Sequence, residues 1–168
     1  RALKLPCLAY RSILSVYLKS DKTNKGKLVP HLLSIAIEIN AQYPDLQSQS
    51  ESLIHSLQDH INELDLNLKI VIANAGIPVM GYVANLTVED YKYQFETNVF
   101  GVLRTFYFFK DHLIKSKGHL ALLGSVASYI SSPKLTPYCM SKFAVKALSE
   151  GLYFEMKKFG VKCTLICP

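Results

Sequence analysis

Tyr138 and Lys142 stand four residues apart, and Ser125 lies thirteen residues before the tyrosine. Residues at i and i+4 share a helix face, so this spacing places an ammonium beside a phenol. A neighbouring positive charge favours the phenolate, which suits a phenol to general acid or base work near neutral pH. Ser125 follows an apolar run, at the kind of strand exit where α/β proteins gather ligand groups, and its hydroxyl could hold a carbonyl oxygen against the phenol. The three residue types together suit carbonyl reduction or alcohol oxidation. Tyr-x-x-x-Lys alone is a weak signal, because Tyr153 and Lys157 repeat it deeper in the same predicted helix. No serine lies at the matching distance before that second pair, which is read as structural.

The elements that must position these residues follow from periodicity. Residues 69–73 are a continuous apolar run after Lys69, as expected for a strand covered on both faces, and they empty into Asn74-Ala75-Gly76. Thr87-x-x-Asp90 has the form of a capping box. From it a helix is predicted through Tyr91, Phe95, Asn98, Val99, Leu103 and Phe106 toward Lys115 and Lys117, stopped by Gly118. A strand at 119–124, a serine-rich loop to Pro133, a second long helix from Pro137 to Lys157 and a strand at 161–167 complete the pattern. This is the rhythm of parallel α/β architecture. Earlier in the chain, residues 32–43 and 50–64 have helical spacing, residues 7–10 read as one short strand, and no strand is evident between 44 and 52.

The chain has 168 residues, of which 49% are hydrophobic and 19% charged, as expected for one ordinary globular domain and not for a disordered or coiled-coil chain. No run approaches the length of a membrane span, and no secretory signal pattern opens the sequence, so a cytoplasmic protein is expected. The net charge of +6 raises nucleic acid as a partner. However, the densest cluster, Lys19, Lys22, Lys25 and Lys27, reads as a solvated loop without aromatics to stack on bases, and no nucleic-acid role is expected. Cys7, Cys139, Cys163 and Cys167 lack metal-site spacing and read as buried free thiols, and no metal is expected. Phe100, Phe106, Tyr107, Phe108 and Phe109 exceed what one buried helix face needs, which points to a subunit interface.

From residue 69 to 168 the chain resembles the short-chain dehydrogenase/reductase family. The resemblance lies in IANAG at 72–76, ETNVFG around Asn98, GSVAS at 124–128 and PYCMSKFAV from Pro137. It implies a three-layer αβα Rossmann-like fold with a parallel sheet, carried by residues 1–168 as a single, partial NAD(P)-binding domain. It further implies hydride transfer between a nicotinamide and a small-molecule carbonyl or alcohol. Tyr138 would be the general acid/base and Ser125 the substrate-orienting hydroxyl. Lys142 would tune Tyr138 and hold the nicotinamide ribose. Asn98, at a helix kink, would complete the tetrad, and Asn74, Ala75 and Gly76 would let backbone approach the adenosine half of the cofactor. If residues 7–10 are the family's second strand, Arg11 trails it and favours NADP over NAD. A homodimer or homotetramer built on the two long helices is implied as well.

The family's pyrophosphate turn needs several glycines, and Gly26 is the single glycine before Gly76. The sequence is therefore expected to lack the first strand, the glycine turn, the third strand and the C-terminal lobe. The alternative expectation is a non-catalytic scaffold or oligomerisation module built on the same fold.

Overall fold

The computed structural model describes residues 12–19, 31–37 and 67–168, with side chains described from Leu68 onward. Arg11, the predicted strand at 7–10 and the predicted helix at 50–64 lie outside these residues. The described strands are β1 (Ser12–Lys19), β2 (His31–Ile37), β3 (Asn67–Ala73), β4 (His119–Leu123) and β5 (Lys162–Ile166). They form a single sheet in the order β2-β1-β3-β4-β5. Strands β3, β4 and β5 are parallel, with Ile70 opposite His119 and Leu120 opposite Cys163. Strands β1 and β2 run antiparallel to each other, and β1 runs antiparallel to β3 with Leu14 opposite Ala73 and Lys19 opposite Asn67. The expected parallel sheet is thus the β3-β4-β5 part.

Strand β2 corrects the helical reading of residues 32–43 as far as Ile37, and residues 38–43 lie outside the described residues. The segment carries two periods at once: its leucines and isoleucines satisfy helical spacing, while Ile35 and Ile37 also alternate as a strand does. β-branched residues fit a pleated surface, and pairing with β1 along seven residues satisfies the backbone of 31–37 in the sheet. With β1 and β2 present, the sheet has strands before residue 44 where none but 7–10 was expected.

A long helix connects β3 to β4. Its first part is α1 (Val88–Phe95), its last α2 (Gly101–Ser116), and Glu96–Phe100 between them is one π-helical turn. Thr87 caps α1 as anticipated: its backbone N–H donates to Asp90 Oδ2 at 2.8 Å, and Asp90 N–H returns a bond to Thr87 Oγ1. At the other end, Lys117 and not Gly118 takes the left-handed conformation, with φ 49°. Gly118 is required for a different reason. A methyl group there would lie 2.9 Å from the Lys69 carbonyl oxygen and 2.9 Å from Leu113 Cδ2, so the chain turns into β4 in direct contact with β3.

The helix α3 (Thr136–Lys157) connects β4 to β5 and packs beside α1 and the π turn on one face of the sheet. Val102, Phe106, Phe109 and Leu113 of α2 and Val145, Leu152 and Met156 of α3 are buried on Val71, Leu120, Leu122 and Cys163. Burying each such side chain contributes roughly 1.5–3 kcal/mol. Of the surplus aromatics, Phe106 and Phe109 belong to this core, Phe108 is half-buried, and Phe100 and Tyr107 are exposed. No helix among the described residues is long and apolar enough to cross a membrane.

Candidate active site

The site forms where the carboxyl ends of β3 and β4 meet the π turn and the first turns of α3. Pro137 supports the start of α3, because its missing N–H falls where a helix leaves donors unpaired anyway. Tyr138 is half-buried one residue further on, and Lys142 follows one turn later with its side chain drawn into the protein. The Lys142 ammonium sits 5.6 Å from the centroid of the Tyr138 ring and donates a 2.7 Å hydrogen bond to the carbonyl oxygen of Leu123, the last residue of β4. Burial pushes its pKa below the ordinary lysine value, and the neighbouring Cys167 sulfur acts in the opposite sense. Charge and ring therefore meet as the i, i+4 spacing requires.

Asn98 occupies the middle of the π turn and is fully enclosed. Its Oδ1 accepts from Ile77 N–H at 2.8 Å, while its Nδ2 donates to Ile77 O at 3.0 Å and to Ser141 Oγ at 3.0 Å. Ser141 in turn donates to the Tyr138 carbonyl at 2.7 Å. One chain of hydrogen bonds thus links the segment after β3 to the turn that carries Tyr138 and Lys142. A π turn is a common device at functional sites, and here it turns Asn98 inward, toward the Ile77 segment, ahead of the apolar core face of α2.

Ser125 lies two residues beyond Leu123, half-buried, and leads into the short 3-10 turn Val126–Ser128, which packs on α3. Its backbone N–H donates to the hydroxyl of the buried Ser128 at 3.2 Å. Ser128, within the predicted serine-rich loop, therefore holds the start of that loop from inside. Ser131 and Ser132 are exposed. After β3, Asn74 is exposed while Ala75 and Gly76 are half-buried. A methyl group on Gly76 would lie 3.6 Å from Asn98 Oδ1 and 3.7 Å from Lys142 Nζ, so the Gly76 backbone is one wall of the lysine pocket. The structure thus gathers Gly76, Asn98, Tyr138 and Lys142, with Ser125 on the adjoining loop.

Two buried polar residues of the Asn98 and Ile77 network escaped the sequence analysis. Ser141 is one. The other is Gln94 of α1, whose Oε1 accepts from Val79 N–H and whose Nε2 donates to Ile77 O, both at 2.6 Å. The available signal was that Gln94 stands four residues before Asn98, on the same helix face. The second Tyr-x-x-x-Lys pair is structural in position: Tyr153 is exposed near the far end of α3, its ring edge-on to Phe154 at 5.2 Å. Cys139 and Cys163 are buried free thiols as expected, but Cys167 is only half-buried. It lies beyond β5, and its sulfur would be 2.7 Å from a methyl group on Gly124.

A sequence model described as short chain dehydrogenase matches residues 14–168. The chain belongs to the short-chain dehydrogenase family. It is 30% identical over 118 residues to the mitochondrial D-beta-hydroxybutyrate dehydrogenase of Rattus norvegicus, covering 70% of this chain and 34% of that protein. It is 34% identical over 100 residues to the NADPH-dependent 1-acyldihydroxyacetone phosphate reductase of Schizosaccharomyces pombe, covering 60% of this chain and 34% of the relative. The chain thus spans about a third of the length of these relatives. Among solved structures, the apo form of LigO from Sphingobium sp. strain SYK-6 superposes with a TM-score of 0.63 at 26% identity, over 68% of this chain and 43% of LigO. The short-chain dehydrogenase fold is Rossmann-like, and its motif-bearing elements here are β3, the π turn, β4 and α3.

The residues present fit the nicotinamide half of a dinucleotide. One N–H of the buried Lys142 ammonium is taken by Leu123 O, and no other hydrogen-bond acceptor for it is found among the described residues. Its remaining donors match the vicinal hydroxyls of a ribose, beside a backbone wall without a side chain at Gly76. The fit does not extend to the pyrophosphate. Among the described residues, β1 runs so that its carboxyl end, Lys19, pairs with Asn67, at the opposite end of β3 from Ala73 and the site.

Proposed function

We propose that the chain carries the catalytic half of an NAD(P)-dependent oxidoreductase acting on a small-molecule carbonyl or alcohol. The observation that carries this reading is the buried Lys142 ammonium held against the Tyr138 ring and bonded to the end of β4. In the reducing direction, the Tyr138 hydroxyl gives its proton to the substrate oxygen, and the phenolate left behind is stabilised by the adjacent ammonium. In the oxidising direction the phenolate takes the proton back. Ser125 orients the substrate oxygen by hydrogen bonding, and Lys142 also holds the nicotinamide ribose. The cofactor, when bound, supplies or accepts the hydride. The Asn98 side chain is fully engaged in three hydrogen bonds, so it serves the tetrad by fixing the π turn and the Ile77 segment.

NADP is the favoured cofactor, in keeping with the NADPH dependence named for the fission-yeast relative. Asn74, Ala75 and Gly76 would let backbone approach its adenosine half, with Gly76 at the border to the ribose held by Lys142, and Arg11 would favour a 2′-phosphate. The exposed Tyr129 and Ile130, on the loop after Ser125, favour an apolar or mixed substrate. The test is Tyr138→Phe, which removes the transferable proton and keeps the ring. Turnover should fall at least about 100-fold while NADPH binding, followed by nucleotide fluorescence, stays within about threefold. Unchanged turnover would sink the assignment.

The second reading, a non-catalytic scaffold of the same fold, is favoured by β1 running antiparallel to β3 where a parallel neighbour was expected. It predicts no NAD(P)H binding to the full chain at millimolar nucleotide, and it leaves the buried Lys142 without a use.

A further inference from the structure

Gln94 has no exposed surface, and a buried amide is costly unless its donors and acceptors are matched. Both its oxygen and its nitrogen are matched, and both to backbone of the segment between β3 and α1: Val79 N–H and Ile77 O. Asn98, one turn further on, takes the remaining polar groups of the same peptide by bonding Ile77 N–H and sharing Ile77 O. Pro78 between them has no N–H to satisfy. The segment belongs to no helix or strand, so two side-chain amides from one helix face do the work that a ladder does elsewhere. Immediately before Ile77 is Gly76, whose backbone walls the Lys142 ammonium.

We infer that Gln94 is a positioning residue for the Lys142 pocket: by clamping Ile77 and Val79 it sets the distance between the Gly76 backbone and the ammonium, and so how dry the lysine is kept. Without Gln94 the segment is held by Asn98 at Ile77 and, further on, by the Gly81 N–H donating to Lys134 O at 2.8 Å, and Val79 between these two anchors loses its hydrogen bond. With Gln94 the stretch next to Gly76 is pinned at Val79 as well as at Ile77. The inference concerns pocket geometry and stands on the hydrogen bonds. Its kinetic consequence rests on the oxidoreductase reading.

The experiment compares the full chain with Gln94→Met, which fills the volume without an amide, and with Gln94→Asn, one methylene too short to reach both partners and tolerated should the methionine variant fail to fold. Leu113→Ala, buried at the other end of α2, is the control for general loosening. Two readouts are independent of turnover: amide exchange at Val79, and the pH midpoint of Lys142 acetylation by acetic anhydride, followed by mass spectrometry. Expected for either Gln94 variant is a Val79 amide that exchanges about tenfold faster or more, with a Lys142 midpoint raised toward that of ordinary lysines as water enters. The control should leave the Lys142 midpoint in place. Val79 protection or a Lys142 midpoint unchanged in the Gln94 variants would overturn the inference, as would an equal midpoint shift in Leu113→Ala. If the enzyme reading holds, kcat should drop about 10- to 100-fold with little change in KM. If Tyr138→Phe leaves turnover intact, that reading fails, while the exchange and acetylation results still decide the role of Gln94.

Discussion

Single residues at the site carry opposed demands of solvation and bonding. Lys142 is charged, buried and bonded to a strand end, and the burial depresses its pKa. The consequence for stability has a definite sign. A lysine whose folded pKa lies below its unfolded value makes the folded state bind the proton less well, so its penalty is largest at low pH and disappears as pH rises through the folded pKa toward the ordinary lysine value. Paired melts of the native chain and Lys142→Met should therefore show the native chain gaining on the variant as pH rises from 7 to 10.5. A difference that stays constant with pH would mean that the ammonium is as well solvated as a surface lysine. Asn98 makes a complementary case, because its bonds satisfy both polar groups of the Ile77 peptide. Asn98→Leu should cost about 1–3 kcal/mol in denaturant unfolding, since it leaves the partly buried Ile77 N–H without a partner.

The elements show where packing overrides local preference. Gly124, just beyond β4, packs against Cys167, Leu165 and Ser128, and a methyl group there would lie 2.7–3.0 Å from all three. Gly124→Ala should destabilise by about 1–3 kcal/mol and disturb the Ser125 loop, seen as lower thermal stability together with weaker substrate binding. Gly151 in α3 faces open space and has a helical backbone. Gly151→Ala should raise stability by about 0.5–1 kcal/mol in the same denaturant series, because alanine removes the entropic cost of glycine in a helix interior. The contrast between two glycines lies wholly in what surrounds them.

At the scale of the molecule, α3 exposes Phe143, Tyr153 and Phe154, the last 73% accessible, and α2 with the preceding turn exposes Phe100 and Tyr107. A homodimer through these helices would bury them, and Phe154→Glu with Tyr107→Glu should shift sedimentation toward the monomer at micromolar concentration. A native chain that sediments as a monomer across that range would remove the proposal. The sequence by itself determined Tyr138 beside Lys142, the capped helix from Thr87, and strands at 69–73, 119–124 and 161–167, each within two residues of its observed bounds, because each is written in spacings of two to four residues that a strand or helix repeats directly. Only the tertiary structure decided that 31–37 is a strand, that Lys142 reaches the end of β4, and that Gln94 and Ser141 are buried in one network with Asn98. Those facts depend on partners such as Leu123 and Ile77, 17–43 residues away along the chain, and on sheet neighbours whose backbone competes with the helix for the same hydrogen bonds. A segment with both periods in its sequence has no local reason to choose, and a buried amide has no local sign of what will satisfy it.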